Sequence, residues 1–173
     1  MGIEFRNIDT QLFLSETEPD ENLFNPVTGF RSTHNKPVGG LWTSSKYRAD
    51  SGMPTSSFIE WSKGNLKYDE EQYVWEIKIN KPVKLLVVNN SNDLIHFSTL
   101  VDKGTIDERY EFNLDYIFNK LCCDGIWLTN EGVRNLCNIL TDKKYSLKSW
   151  DVESIIWSKW LFDSIQKLRT YNL

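Results

Sequence analysis

Apolar and polar positions alternate with a period of two through residues 72–79 (QYVWEIKI), where Tyr73, Trp75, Ile77 and Ile79 oppose Val74, Glu76 and Lys78. That period marks a strand, because successive side chains point to opposite faces. Residues 83–88 (VKLLVV) form the densest apolar run and predict a central strand, joined to the first by an Asn80-Lys81-Pro82 turn. Shorter strands are predicted at 11–15 (QLFLS), 41–43 (LWT) and 126–129 (IWLT). Helical spacing or capping predicts helices over 54–63, 92–101, 107–121 and 158–168. Two stretches, 132–139 and 150–157, fit either state. A connection of about 25 residues, rich in acidic and turn residues, follows the first strand; compact domains keep such lengths mainly for function.

Short strands in varied order with helices between them predict an α+β fold. No repeat, low-complexity segment or domain boundary interrupts the 173 residues, which read as one domain, 1–173. With 40% apolar and 13% aromatic residues, including seven Trp, the chain is no disordered segment. Its net charge of -4 argues against a general polyanion binder. The first twenty residues have neither the basic nor the apolar region of a signal peptide, and no apolar run is long enough to span a membrane, so a cytoplasmic protein is expected. Abundant Asn and Lys match AT-rich coding sequence, as in a low-GC bacterium or its phage.

Cys122, Cys123 and Cys137 are odd in number, two of them adjacent, which suits neither a disulfide framework nor a zinc site. The two histidines, His34 and His96, share no ligand-spaced partners, and no metal is expected. Neither a nucleophile elbow nor a phosphate loop is present; Gly39-Gly40 precedes a strand, whereas both motifs open a helix.

Two clusters carry candidate chemistry. The first joins His34, Lys36, Gly39, Gly40, Trp42, Thr43, Ser44 and Ser45, hydroxyl donors beside a backbone with little side-chain bulk. A strand end followed by a helix cap accounts for the same residues. The second is Trp150-Asp151-Val152-Glu153-Ser154. On a strand, Asp151 and Glu153 share one face, and one of two nearby carboxylates can stabilise a developing cation; an acidic helix start capped by Asp151 fits equally.

At these clusters the chain resembles ADP-ribosyltransferases. The shared layout is a first strand ending in a polar residue (Ser15), a second ending in a Ser/Thr-rich segment (LWTSS), a DGIWLT strand, and a late Glu-x-Glu-like pair, here Asp151-Val152-Glu153. The resemblance covers nearly the whole chain. It departs at the first strand, where Ser15 replaces a histidine or arginine, and at Asp151. It implies two small packed, mainly antiparallel sheets with flanking helices, and cleavage of the nicotinamide–ribose bond of NAD. Glu153 would stabilise the oxocarbenium-like transition state and Asp151 would orient or deprotonate the acceptor. Ser15, His34, Lys36, Gly39, Gly40, Trp42, Thr43, Ser44 and Trp61 would contact NAD, with Trp42 or Trp61 stacking on nicotinamide. The acceptor is expected on a protein target before nucleic acid, in the setting of a toxin, an effector or a phage counter-defence protein. The rival reading is a non-enzymatic acidic interaction protein that inhibits a partner, supported by net charge and abundant aromatics.

Overall fold

The computed structural model describes residues 2–30, 37–90, 93, 116–137 and 150–171. His34, Lys36 and His96, the helix expected over 92–101 and most of that over 107–121 lie outside them. Of the latter, a π-helical turn, Tyr116–Lys120, is described.

The strands are β1 (Ile3–Arg6), β2 (Gln11–Ser15), β3 (Gly29–Phe30), β4 (Pro37–Val38), β5 (Leu41–Ser45), β6 (Tyr47–Arg48), β7 (Pro54–Thr55), β8 (Gln72–Lys78), β9 (Val83–Val88), β10 (Gly125–Leu128), β11 (Ser154–Trp157) and β12 (Ser164–Tyr171). The helices are α1 (Ser57–Asn65) and α2 (Asn130–Cys137). Eight strands form a sheet in the order β1-β9-β10-β11-β5-β2-β8-β12, flanked by the two-stranded ribbons β3–β4 and β6–β7. Only β9 and β10 pair in parallel within the eight. The fold is α+β, mostly one large mixed sheet with few described helices.

Two packed sheets were expected; the strand order is instead continuous and folds over at β5. Leu41–Thr43 pair with Trp157–Ile155, and then Ser44 and Ser45 pair with Leu12 and Gln11. β8 and β9 are five positions apart, roughly 24 Å in a flat sheet at about 4.8 Å per strand. Yet Ile77 of β8 shares a buried cluster with Leu85 and Val87 of β9 and Trp157 of β11. The halves therefore face each other across this inner core. A second cluster on the outer face of β9–β10–β11 joins Leu86, Val88, Ile126 and Ile156 to Ile117, Phe118 and Trp150. A third packs Leu12, Leu14, Val74 and Tyr171 against Ile59 of α1.

Several elements differ from the sequence expectation. The helix placed at 158–168 is absent: residues 158–163 are irregular and 164–168 open β12, which pairs with β8 along its length. Ile165 and Leu168, three apart, fall on opposite faces of the strand, Ile165 toward the inner core and Leu168 toward the α1 side. A bulge between Lys167 and Arg169 then shifts the register. The helix placed at 54–63 starts later, because Pro54 and Thr55 form β7. Ser56 caps α1 by accepting from the Ile59 N–H at 3.3 Å. Of the ambiguous 132–139 stretch, the described residues 132–137 belong to α2, whose first turn is closed by the Gly132 N–H donating to Thr129 Oγ1 at 3.1 Å. The edge strand β1 was not predicted: Ile3 and Phe5 alternate with Glu4 and Arg6 over only four residues, and Phe5 is exposed in the fold. The long connection after β2 contains a 3-10 turn, Glu21–Leu23, capped by Asp20, and Phe24 meets Trp160 edge-on.

Candidate functional site

Where β5 passes from one half of the sheet to the other, its last residues receive the side chain of Glu153, just before β11. The Glu153 residue is 2% exposed. The Ser45 N–H donates to Glu153 Oε2 at 3.0 Å and the Ser45 hydroxyl to Oε1 at 2.8 Å. Trp127 Nε1 donates to Oε1 at 2.7 Å. Ser44 Oγ lies 2.7 Å from Oε2 and 2.8 Å from the Glu153 carbonyl, so its single proton is shared between them. The Ser44 oxygen accepts from the Phe58 N–H, in the first turn of α1, at 3.4 Å. Each carboxylate oxygen thus has two donors, filling the four acceptor sites of the group. A carboxylate out of water requires such compensation.

A chain of buried polar groups feeds the same point. Trp157 Nε1 donates to Thr43 Oγ1 at 2.8 Å, and Thr43 donates to Gln11 Oε1 at 3.1 Å. Gln11 Nε2 donates to Ser45 Oγ at 3.3 Å, and Ser45 donates on to Glu153. Every donor is directed toward the carboxylate, so each bond polarises the next. Tyr47 on β6 lies within electrostatic reach; burial first, then Glu60 and Glu153, raise its phenol above the ordinary value.

Beside this cradle is a cavity of about 250 Å³, walled by Trp42, Thr43, Phe58, Trp61 and Trp150 with Asp151, Val152 and Ser154. Trp42 and Trp150 meet edge-to-face at 4.6 Å and 70°, and Phe58 and Trp61 lie tilted by 31° at 5.9 Å. Glu153 is not among the described residues lining it. Trp42 and Trp150 belong to the outer core, whereas Trp127 belongs to the inner one.

The expected site residues separate accordingly. Glu153 and Ser44 meet directly, with Thr43 one link away. Trp42, Trp61, Asp151 and Thr43 line the cavity. Asp151 and Glu153 do not share a strand face: β11 begins at Ser154 and the chain bends at Val152, leaving Asp151 exposed and Glu153 buried. Ser15 lies at the wrong end of β2, where its hydroxyl donates to the Thr17 carbonyl; Gln11 is the β2 residue opposite Ser45. Gly39 and Gly40 precede β5, remote along it from Ser45. They adopt φ of +81° and +72°, and the Gly40 N–H donates to the Asn25 carbonyl at 2.6 Å. Their conformational freedom serves this turn.

The sequence gives no individual role to Gln11 or Trp127, and places Ser45 in the hydroxyl cluster without a part in holding Glu153. The available signals were a polar residue opening an otherwise apolar strand, the third residue of a hydroxyl run, and an indole N–H in a short strand. Away from the site, Cys122 is exposed and Cys123 buried; burial pushes the Cys123 thiol up to about 11. Among the described residues, no three His, Cys, Asp or Glu side chains are grouped to hold a metal, and no helix is long and apolar enough to cross a membrane. No protein-family model, curated protein or solved structure matches the chain.

Proposed function

We propose that the chain is an NAD-dependent ADP-ribosyltransferase with an ADP-ribosyltransferase-like fold, acting in the cytoplasm on a protein target before nucleic acid. The observation that carries this reading is the Glu153 carboxylate, held by the consecutive Ser44 and Ser45 of LWTSS where the sheet folds over. A fixed, buried anion of this kind stabilises positive charge without reorganising. In the reaction, the bond from the ribose anomeric carbon to the pyridinium nitrogen breaks and its electron pair leaves with neutral nicotinamide. The positive charge passes to the ribose beside Glu153. The acceptor attacks the anomeric carbon and gives its proton to Asp151 or to water. A ribose hydroxyl that bonds Glu153 must displace one donor, Trp127 Nε1 or Ser45 Oγ.

The test is nicotinamide release from NAD and labelling of a cell lysate with tagged NAD, comparing wild type with Glu153→Gln per folded molecule. Glu153-dependent release or labelling is expected. A folded wild type that does neither refutes the reading.

One observation favours the rival, a non-enzymatic interaction protein: a carboxylate whose acceptor sites are all filled acts as an internal staple without chemistry. On that reading NAD gives no thermal stabilisation, and a folded Asp151→Asn/Glu153→Gln double variant still binds its partner.

A further inference from the structure

The aromatic cavity is separate from the Glu153 carboxylate and has its own chemistry. Trp42, Phe58, Trp61 and Trp150 supply four aromatic rings to its wall, and all except Trp150 are partly exposed. The contacting rings are not parallel, standing at 70° and 31°. A flat ligand is best held in a slot between parallel rings; inclined rings meet a rounded group from several sides. The one charged residue in the described wall is Asp151, which is exposed and has no ion-pair partner among the described residues. Aromatic faces attract cations through the ring quadrupole, with Trp the strongest, and ring cages are the recurrent solution for quaternary ammonium groups. A neutral apolar ligand would leave the carboxylate at the rim unused.

From this combination we infer that the cavity is a binding site for a quaternary or methylated ammonium head group, caged by Trp42, Trp61, Phe58 and Trp150 and countered by Asp151. The inference goes beyond the NAD reading and does not depend on it: Glu153 is not among the described residues lining the cavity, and Asp151 is the one residue the two readings share. The volume of about 250 Å³ accommodates such a head with part of an aliphatic stem.

The experiment is titration of the full chain with choline, followed by tryptophan fluorescence and calorimetry. Its neutral isostere 3,3-dimethylbutanol and the N-methylnicotinamide cation serve as comparisons. Choline is expected to bind at least fivefold tighter than the isostere, in the range of a partly exposed cation–π contact. Trp61→Leu keeps apolar bulk but removes a π face, and is expected to abolish the preference for choline. Asp151→Asn, on the surface, is expected to weaken choline about two- to fivefold and to leave the isostere unchanged. Equal binding of choline and isostere, or no binding of either, overturns the inference. Tighter binding of the N-methylnicotinamide cation also overturns it and makes the cavity a nicotinamide site. The NAD reading is judged separately by nicotinamide release, which none of these titrations measures.

Discussion

Ser45 holds both oxygens of Glu153, one through its backbone N–H at 3.0 Å and one through its hydroxyl at 2.8 Å. A strand end thereby bonds to a side chain in place of a neighbouring strand, and the carboxylate is both structural link and candidate reactive group. Glu153→Gln is consequently not a silent probe of chemistry. The amide NH2 faces two donors whichever way it is turned, leaving buried N–H or O–H groups unpaired. A loss of about 2–4 kcal/mol is expected in denaturant unfolding. NAD turnover by this variant must be measured well below its melting temperature; unchanged stability would mean that the carboxylate is not bonded as described.

Ser44→Ala removes one hydroxyl from the Glu153 carbonyl, the Glu153 carboxylate and the Phe58 N–H. A stability loss of about 1–3 kcal/mol is expected. Because Ser44 bonds both the Glu153 carboxylate and the backbone of the cavity residue Phe58, both nicotinamide release and choline affinity are expected to change. An effect on stability alone would make Ser44 purely structural.

Gly40 is a second sensitive point, for backbone reasons. At φ +72°, a Cβ there would lie 2.7 Å from the Trp157 carbonyl oxygen and 2.9 Å from Ile156 Cγ1. Gly40→Ala combines left-handed strain with a clash against backbone, and about 3 kcal/mol or more of destabilisation is expected. Gly64→Ala is the control, since nothing lies within 4 Å of its added Cβ. Equal effects of the two substitutions would refute the geometry of the turn before β5.

Glu76 sets part of the acid sensitivity. Burial alone would raise its carboxyl, but the Lys46 and Lys78 ammonium groups outweigh burial and hold it below the ordinary carboxylate range. A depressed carboxyl contributes stability that is present above its unfolded value and lost as pH falls through the folded one. Lys46→Met is expected to cost about 1–3 kcal/mol at neutral pH and to flatten the decline in stability below pH ~4.5. Urea unfolding at pH 7 and pH 3 gives both quantities; an unchanged difference between the two would remove this pair from the acid response.

The adjacent cysteines should respond differently to alkylation. At pH 8, Cys122 is exposed while Cys123 is fully buried, with a thiol at about 11 and so about one part in a thousand thiolate. Iodoacetamide with site-resolved mass spectrometry is expected to label Cys122 first and Cys123 only on unfolding. The stability linked to Cys123 is present below its unfolded value near 9 and is lost as pH rises through about 11.

Much of the site was legible in local residue types. The hydroxyl run of LWTSS and the glutamate of WDVES are both visible, and Ser44 does meet Glu153, although the burial of that glutamate is not legible there. What escaped was whatever depends on strand partners. Gln11 matters because β2 pairs with β5 at that residue and not at Ser15, and register is a non-local property. Trp127 was one of seven tryptophans until the pairing of β10 with β11 brought its N–H to the carboxylate. Asp151 and Glu153 were placed on one face by assuming a strand, but the bend at Val152 breaks the alternation. β12 shows no clean alternation because Ile165 serves one core while Leu168 and Tyr171 serve another across a bulge.

The contact between Ser44 and Glu153 spans 109 residues of chain. β2 waits on β8 and β5, and β8 on the late-coming β12. Such separations make ordering slow, since long loops must close before their contacts are rewarded. During synthesis at about 5–20 residues per second, the hydroxyls of β5 would precede their carboxylate by roughly 5–20 s. The cradle is thus a late event in the life of each molecule, and the half-made sheet needs shelter from wrong partners until Glu153 arrives.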